Sequence, residues 1–328
     1  MKPLKIGILG ATGVVGRAIL ECIEQLSLPF SKLKLFASCY SEGKAVHFLG
    51  NDYIIESLNY DALSELDVLF GAVNSKLSKE YIELIQKSDI VYIDNSSAFR
   101  LDEKVPLIIP EINIDDASLS SNIISNPNCS TILTLMAASP IYHLFGIKKM
   151  IVSTYQAVSG AGMNAMDELV DQLICFPDEP QSTRVFHQPI VNNCIALIGE
   201  MMNNGFTNEE LKMENEARKI LHDNQLEVIC TCVRVPVLRS HCISLYCETE
   251  REIDLTKLMK RYRTTKGLDI SHELPSPYTS SKQYDVQIGR IRLDPHSKKG
   301  ISLWICGDQI YKGAALNAVQ IAQSLLLK

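Results

Sequence analysis

Asn126-Pro127-Asn128-Cys129-Ser130-Thr131 sets a cysteine where an apolar run, Ile123-Ile124, gives way to a helical pattern that opens at Ile132. Ser130 and Thr131 are helix-start residue types. Free backbone N–H groups and the positive end of a helix dipole would therefore lie beside the sulfur and favour thiolate, the nucleophilic form. Pro127 stiffens the turn and Asn128 tolerates unusual backbone angles, which suits a side chain held in one direction for chemistry. The chain has ten cysteines, and an arbitrary one packs in a core. The local sequence singles out Cys129.

A thiol that attacks an activated acyl group forms a thioester and needs an acid–base group and anion clamps. Arg234 shares a strand's alternation with Val228, Cys230 and Cys232, so a charge falls on an otherwise apolar face. His241 starts the next strand after a short Val-Pro-Val-Leu-Arg-Ser connection. The pair would put a carboxylate clamp and a titrating imidazole at one end of a sheet. Arg100 closes Asp94-Asn95-Ser96-Ser97-Ala98-Phe99-Arg100, a loop at the carboxyl edge of a buried strand, where α/β ligands bind. Gln156 ends a strand just before Ser159-Gly160-Ala161-Gly162.

A hydride source is written near the start. Gly7, Gly10, Gly13 and Gly16 recur at every third position between a first strand and a first helix. Gly10 gives the tight turn its φ freedom, the backbone at Ala11, Thr12, Gly13, Val14 and Val15 would approach a pyrophosphate, and Gly16 lets helix and strand pack. After the second strand the chain reads Ala37-Ser38-Cys39-Tyr40-Ser41, without the acidic residue that holds NAD ribose hydroxyls. A 2′-phosphate is not repelled there, and Ser38 and Ser41 can hydrogen-bond it. NADP is the expected cofactor.

These residues need two kinds of scaffold. Residues 1–128 alternate short apolar runs with helical patterns, as a parallel sheet wrapped by helices requires, and predict a Rossmann-like domain. Its strands are expected at 6–9, 33–37, 68–70 and 91–93, with helices at 14–25 and 79–87. From 129 to 311 the pattern changes to longer alternating strands at 150–158, 226–237, 242–248 and 301–306, covered by helices at 164–174, 208–222 and 255–263. That is a second, α+β domain with an antiparallel or mixed sheet. Residues 273–283, rich in Pro and Ser, read as a loop, and a last helix runs over 312–328.

A formal net charge of -6 argues against a nucleic-acid surface. No stretch is apolar for the length of a membrane span, and the N-terminus runs straight into a strand, so the cytoplasm is expected. Ten cysteines without framework spacing read as reduced thiols, and the absence of Cys-x-x-Cys or His-x-x-x-His spacing predicts no metal.

Across these motifs the chain resembles the aspartate-semialdehyde dehydrogenase family. The resemblance is carried in order by 10–16, 94–100, 125–131, 153–162, 232–237 and 312–320, that is Gly-Ala-Thr-Gly-Val-Val-Gly, Asp-Asn-Ser-Ser-Ala-Phe-Arg, Ser-Asn-Pro-Asn-Cys-Ser-Thr, Ser-Thr-Tyr-Gln-Ala-Val-Ser-Gly-Ala-Gly, Cys-Val-Arg-Val-Pro-Val and Lys-Gly-Ala-Ala-Leu-Asn-Ala-Val-Gln. It implies reversible, NADP-dependent reduction of 4-phospho-L-aspartate to L-aspartate 4-semialdehyde with release of phosphate, in the route to lysine, methionine and threonine. By motif position Cys129 would be the nucleophile, Gln156 would orient the thioester, and His241 would be the acid–base partner. Arg234 would bind the substrate carboxylate, Arg100 and Lys212 the phosphate, Glu209 the ammonium, and Asn128 would also meet substrate. Ser159, Gly160 and Asn317 would join the glycine turn in holding cofactor. The resemblance also implies a homodimer formed through the second domain and a last helix that returns to the first.

The chain departs from the family pattern at Tyr40, where NADP-preferring members carry an arginine, which brings NAD into consideration; Lys44 could restore the charge. Ala72-Val73-Asn74-Ser75 stands where consecutive glycines are usual, Cys194 to Glu200 departs from a Val-Ile-Pro run, and Asp308-Gln309-Ile310 replaces Asp-Asn-Leu. Alternatives are a related acyl-phosphate reductase, such as the N-acetyl-glutamyl-phosphate or glyceraldehyde-phosphate enzyme, and a catalytically silent dinucleotide-binding protein.

Overall fold

The computed structural model describes residues 3–117, 122–178 and 182–326, and the chain divides into two units, Met1–Asn128 with Ala314–Lys328, and Cys129–Gly313. In the first unit the elements run β1 (Leu4–Leu9), α1 (Val14–Gln25), β2 (Phe30–Phe36), β3 (Ala45–Phe48), β4 (Asn51–Glu56), α2 (Tyr60–Ser64), β5 (Val68–Gly71), α3 (Ser75–Gln86), β6 (Val91–Asp94), α4 (Pro110–Asn113) and β7 (Ile123–Ser125). They form one seven-stranded sheet in the order β3-β4-β2-β1-β5-β6-β7. Every pairing is parallel except β3 with β4. The chain winds outward from β1 in both directions, so the ends of β1 and its neighbours mark the switch point where a doubly wound sheet receives its ligand. Strands buried on both faces read as unbroken apolar runs, which is why Val68-Leu69-Phe70 is legible without alternation.

The β3–β4 hairpin lies outside the sequence expectations. Its two-residue turn, Leu49-Gly50, has φ of +48° and +77°, the geometry of a type I′ turn in which leucine occupies a place usually held by Asn or Gly. Nothing in the residue type announces it. The helix expected at 79–87 starts earlier, at Ser75, because Asn74 caps it by accepting the Leu77 N–H at 3.0 Å.

The second unit runs α5 (Cys129–Phe145), β8 (Ile147–Gln156), α6 (Met163–Cys175), α7 (Asn208–Leu221), β9 (Glu227–Arg234), β10 (His241–Thr249), α8 (Leu255–Thr264), β11 (Leu268–Asp269), α9 (Pro277–Ser280), β12 (Val286–Asp294) and β13 (Ser297–Gly307). The sheet order is β11-β12-β13-β10-β8-β9. It is mixed: β8 with β9 and β11 with β12 are parallel, and the other pairings are antiparallel. β12 was not anticipated, since a register break between Gly289 and Arg292, with Arg290 at φ +49°, interrupts its alternation. The loop expected at 273–283 contains the short α9. α5 is apolar around its whole circumference and buried over most of its length, and it packs on β10, β13, α7 and α8 as the spine of this unit.

A π-turn at Tyr311–Ala315 precedes α10 (Leu316–Leu326), so the anticipated last helix is regular only from Leu316. Residues 327 and 328 lie outside the described residues. α10 belongs to the first unit, packed against α1, α4 and β6.

Candidate active site

Three strands of the second unit deliver three polar side chains to one end of the sheet. β8 and β9 are parallel and in register, so their last residues, Gln156 and Arg234, are direct partners. β10 is antiparallel to β8 with Cys242 opposite Tyr155, which brings His241, the first residue of β10, to the same end. All three side chains are buried, His241 completely. The backbone of Ala157 ties two of them together. Its carbonyl accepts from Arg234 Nη1 at 2.6 Å, and its N–H donates to His241 Nδ1 at 3.1 Å.

That second bond assigns the imidazole. With Nδ1 as acceptor, the neutral ring carries its proton on Nε2. Burial holds His241 well below its ordinary value of 6.5, and the neighbouring Arg234 charge acts in the same direction against a weaker raising effect of the Ser240 backbone. The ring is therefore neutral near pH 7. Burial also pulls Arg234 below its ordinary value, opposed first by the charge of Cys129 and then by those of Glu209 and Cys232. Cys129 and Glu209 thus both lie close enough for their charges to act on the guanidinium.

Cys129 is the first residue of α5, three residues earlier than the helical pattern at Ile132 suggests. It is half-buried, and Gly313 backs onto it: a Cβ at 313 would lie 2.8 Å from Cys129 Cβ. Gly160 does the same for the sheet end, where a Cβ would come to 3.0 Å of Arg234 Nη1 and 3.4 Å of His241 Nε2. Gln156 has its amide oxygen held by Thr154 Oγ1 at 2.9 Å.

Glu209 and Lys212 form an i,i+3 ion pair of 2.7 Å on α7. A capping box between Thr207 and Glu210 starts that helix, and Glu210 Oε1 also accepts the Cys232 N–H at 2.9 Å. One carboxylate both caps α7 and staples it to β9, two residues from Arg234. The loop after α6 is held by Glu168, which accepts the Arg184 N–H at 2.9 Å, and by Gln172, which accepts the Ile190 N–H at 2.8 Å. It brings the Phe186 ring to 5.9 Å from the Arg234 guanidinium.

In the first unit Arg100 is buried, with Nε donating to the Asn126 carbonyl at 2.9 Å and Nη2 to the Asn95 carbonyl at 2.8 Å. Asn317 donates to Asn126 Oδ1 at 2.7 Å and to the Ile108 carbonyl at 2.9 Å, so its amide nitrogen holds the segment that leads to Asn128. Asn128 itself is buried.

The glycine turn fits a dinucleotide. Gly10 has φ +87°, and a Cβ there would strike the Ala72 carbonyl at 2.3 Å; one at Gly16 would strike the Gly10 carbonyl at 2.2 Å. At Gly13, the N-cap of α1, a Cβ meets only the Gly10 carbonyl, at 3.4 Å, which leaves the face over Ala11 and Thr12 open. α1 has neither a side-chain cap nor an acidic residue in its first turn, so no carboxylate competes for the N–H groups at its start, as an anion site there requires. Beyond β2, Ser41 N–H closes a turn on the Ser38 carbonyl at 2.8 Å, Tyr40 is exposed, and Glu42 accepts from Ser57 at 2.8 Å. Ser159 and Gly160 belong to the second unit.

Sequence reasoning missed the Ala157 peptide and Gln309. The amide oxygen of Gln309 accepts the Ser240 N–H at 2.8 Å, and its nitrogen donates to Ser159 Oγ. The unusual Asp308-Gln309-Ile310 was the available signal.

Residues 5–120 match the family model for the semialdehyde dehydrogenase NAD binding domain, and residues 139–312 match the semialdehyde dehydrogenase dimerisation domain. The chain is 40% identical to aspartate-semialdehyde dehydrogenase of Aquifex aeolicus, over 98% of each chain. It belongs to the aspartate-semialdehyde dehydrogenase family. The Campylobacter jejuni member is also 40% identical, over 99% of this chain and 98% of that one. Among solved structures, aspartate semialdehyde dehydrogenase II of Vibrio cholerae, complexed with ASA, superposes with a TM-score of 0.96 at 36% identity, covering 100% of this chain and 99% of the other. Among the described residues of this family member, no helix is long and apolar enough to cross a membrane.

Proposed function

We propose that the protein catalyses the reversible, NADP-dependent reductive dephosphorylation of 4-phospho-L-aspartate to L-aspartate 4-semialdehyde, in the route to lysine, methionine and threonine. The observation that carries this reading is the combination of a helix-start cysteine, a buried guanidinium whose charge a Cys129 thiolate would favour, and a neutral Nε2–H imidazole linked to that guanidinium through one peptide. Cys129 thiolate attacks the acyl carbon; a C–S bond forms as the C–O bond to phosphate breaks. Arg100 and Lys212 bind the phosphate, Arg234 takes the substrate α-carboxylate, and Glu209 takes its ammonium group. Asn128 contributes a further substrate contact.

A bound nicotinamide dinucleotide supplies the hydride that reduces the thioester. Gln156, its oxygen held by Thr154, turns its amide nitrogen toward the thioester oxygen. His241 Nε2–H donates to the oxyanion formed at that carbon, and collapse of the oxyanion restores the carbonyl and returns Cys129 to thiolate. The proton taken up overall ends on phosphate. Gly10 to Val15 hold the pyrophosphate, Ser159, Gly160 and Asn317 are further cofactor contacts, and Ser38, Ser41 and Lys44 receive the 2′-phosphate. The missing acid after β2 and the hydrogen bond that engages Glu42 support NADP.

Two copies pair through the second unit. The sheet face opposite α5 exposes Ile151 and Tyr155 on β8 and Ile229 on β9, an apolar surface suited to a second chain. Ten cysteines without disulfide-framework spacing suit the reducing cytoplasm. The deciding assay is phosphate-dependent reduction of NADP with L-aspartate 4-semialdehyde, with NAD and N-acetyl-glutamate semialdehyde as comparisons. Activity with the acetylated aldehyde alone would sink this reading.

A further inference from the structure

Ser240, the residue before His241, is fully buried and has φ +73°, a left-handed conformation that a residue with a Cβ rarely adopts. What holds it comes from the end of β13. Gln309 Oε1 accepts the Ser240 N–H at 2.8 Å. Asp308, fully buried, accepts Arg239 Nε and the Lys282 N–H, each at 2.6 Å, and the Arg239 guanidinium lies 4.6 Å over the Tyr311 ring. Ser281, between Ser280 and Lys282, shares a 3.0 Å hydrogen bond with Ser240 Oγ. The residues on both sides of the strained position are thus pinned.

The same Gln309 reaches the other half of the site. Its Nε2 donates to Ser159 Oγ, in the turn whose next residue, Gly160, lies against both Arg234 and His241. One amide therefore uses its acceptor on the chain entering His241 and its donor on the turn that packs over Arg234.

We propose that Gln309 is a positioning residue for the reaction: chiefly by holding Ser240 left-handed, with its bond to Ser159 as a secondary tie, it sets where His241 Nε2 stands relative to the Arg234 guanidinium. The proposal rests on the function proposed above. It acts through backbone geometry, so relieving the strain must substitute for the missing amide. Glycine adopts a positive φ without support.

The test compares wild type, Gln309→Leu and the double variant Gln309→Leu/Ser240→Gly. Gln309→Leu is expected to lower kcat by about 10- to 100-fold with KM for both substrates changed less than about threefold, and the double variant to recover most of that loss. A loss of kcat that Ser240→Gly does not restore in a variant of unchanged melting temperature overturns the proposal. So does a change confined to KM for the dinucleotide, which would make Gln309 a cofactor contact only. A second readout uses the resting protein. Imidazole ¹⁵N spectra should show His241 as the Nε2–H tautomer in wild type, a tautomer mixture in Gln309→Leu, and the wild-type pattern in the double variant; an unchanged His241 signal in Gln309→Leu also overturns it. If wild type fails to reduce NADP with aspartate semialdehyde, the functional reading fails, while the spectra still decide the role of Gln309.

Discussion

The two units build their sites from different material. In the first, the anion site is backbone: a glycine turn and the uncapped start of α1, with Gly10 and Gly16 present because a Cβ has nowhere to go. In the second, it is buried side chains, Arg234, His241 and Gln156, the first two bonded to the Ala157 peptide and the third to the Thr154 hydroxyl. A backbone site is tolerant at its open face and intolerant in its turn. A buried side-chain site is intolerant on every side.

The sharpest way to test that contrast is to remove one atom at the heart of the second unit. Cys129→Ala is expected to cut turnover about 10³-fold or more while leaving the melting temperature near wild type, and residual turnover above that bound would end the covalent route. Next comes the same small addition in both units. Gly160→Ala pushes a methyl toward Arg234 and His241 and should lower kcat about 10²-fold, whereas Gly13→Ala meets only one carbonyl at ordinary contact distance and should raise KM for the dinucleotide by no more than about tenfold. Equal effects in steady-state kinetics would erase the distinction.

Gly10→Ala belongs to the turn rather than to its open face. It forces a Cβ into a carbonyl at positive φ and should destabilise the protein by about 2–4 kcal/mol in urea unfolding. A smaller effect comes from His241. Its folded pKa is depressed, so below about 6.5 the unfolded chain binds a proton that the folded protein refuses, and stability is lost as pH falls. The slope from one such group reaches at most about 1.4 kcal/mol per pH unit. His241→Asn should flatten the wild-type curve between pH 7 and pH 5 by less than that limiting slope, the difference growing as pH falls; parallel curves for the two proteins would contradict a neutral buried imidazole. The smallest effect is expected outside both turns, at exposed Tyr40. Tyr40→Arg should favour NADP over NAD by a few-fold in kcat/KM, about the value of one exposed charge.

The contrast also explains what could be read from the chain alone. The glycine turn is local: strand, turn and helix are contiguous, and each glycine has a mechanical reason. Cys129 is local too, announced by Pro127, Asn128 and the helix-start pair. The meeting of Gln156, Arg234 and His241 depends on register across three strands, with β9 parallel and β10 antiparallel to β8, and no short window of residues encodes that. The Ala157 peptide and Gln309 were harder still, since one acts through backbone atoms and the other through a side chain distant in sequence. In the first unit the β3–β4 hairpin escaped because leucine sits where its turn needs a left-handed residue. In the second, β12 escaped because a bulge breaks its period.

α5 carries one more implication. Its first residue is the proposed nucleophile, and the rest of it is the apolar spine on which the second unit packs. An element buried over most of its length exchanges its amide protons chiefly through the largest opening of its unit, so the helix start that would activate Cys129 is tied to the core. Loss of thiol reactivity and loss of the fold become the same event. Heat or denaturant should leave the nucleophile fully competent until the unit unfolds as a whole.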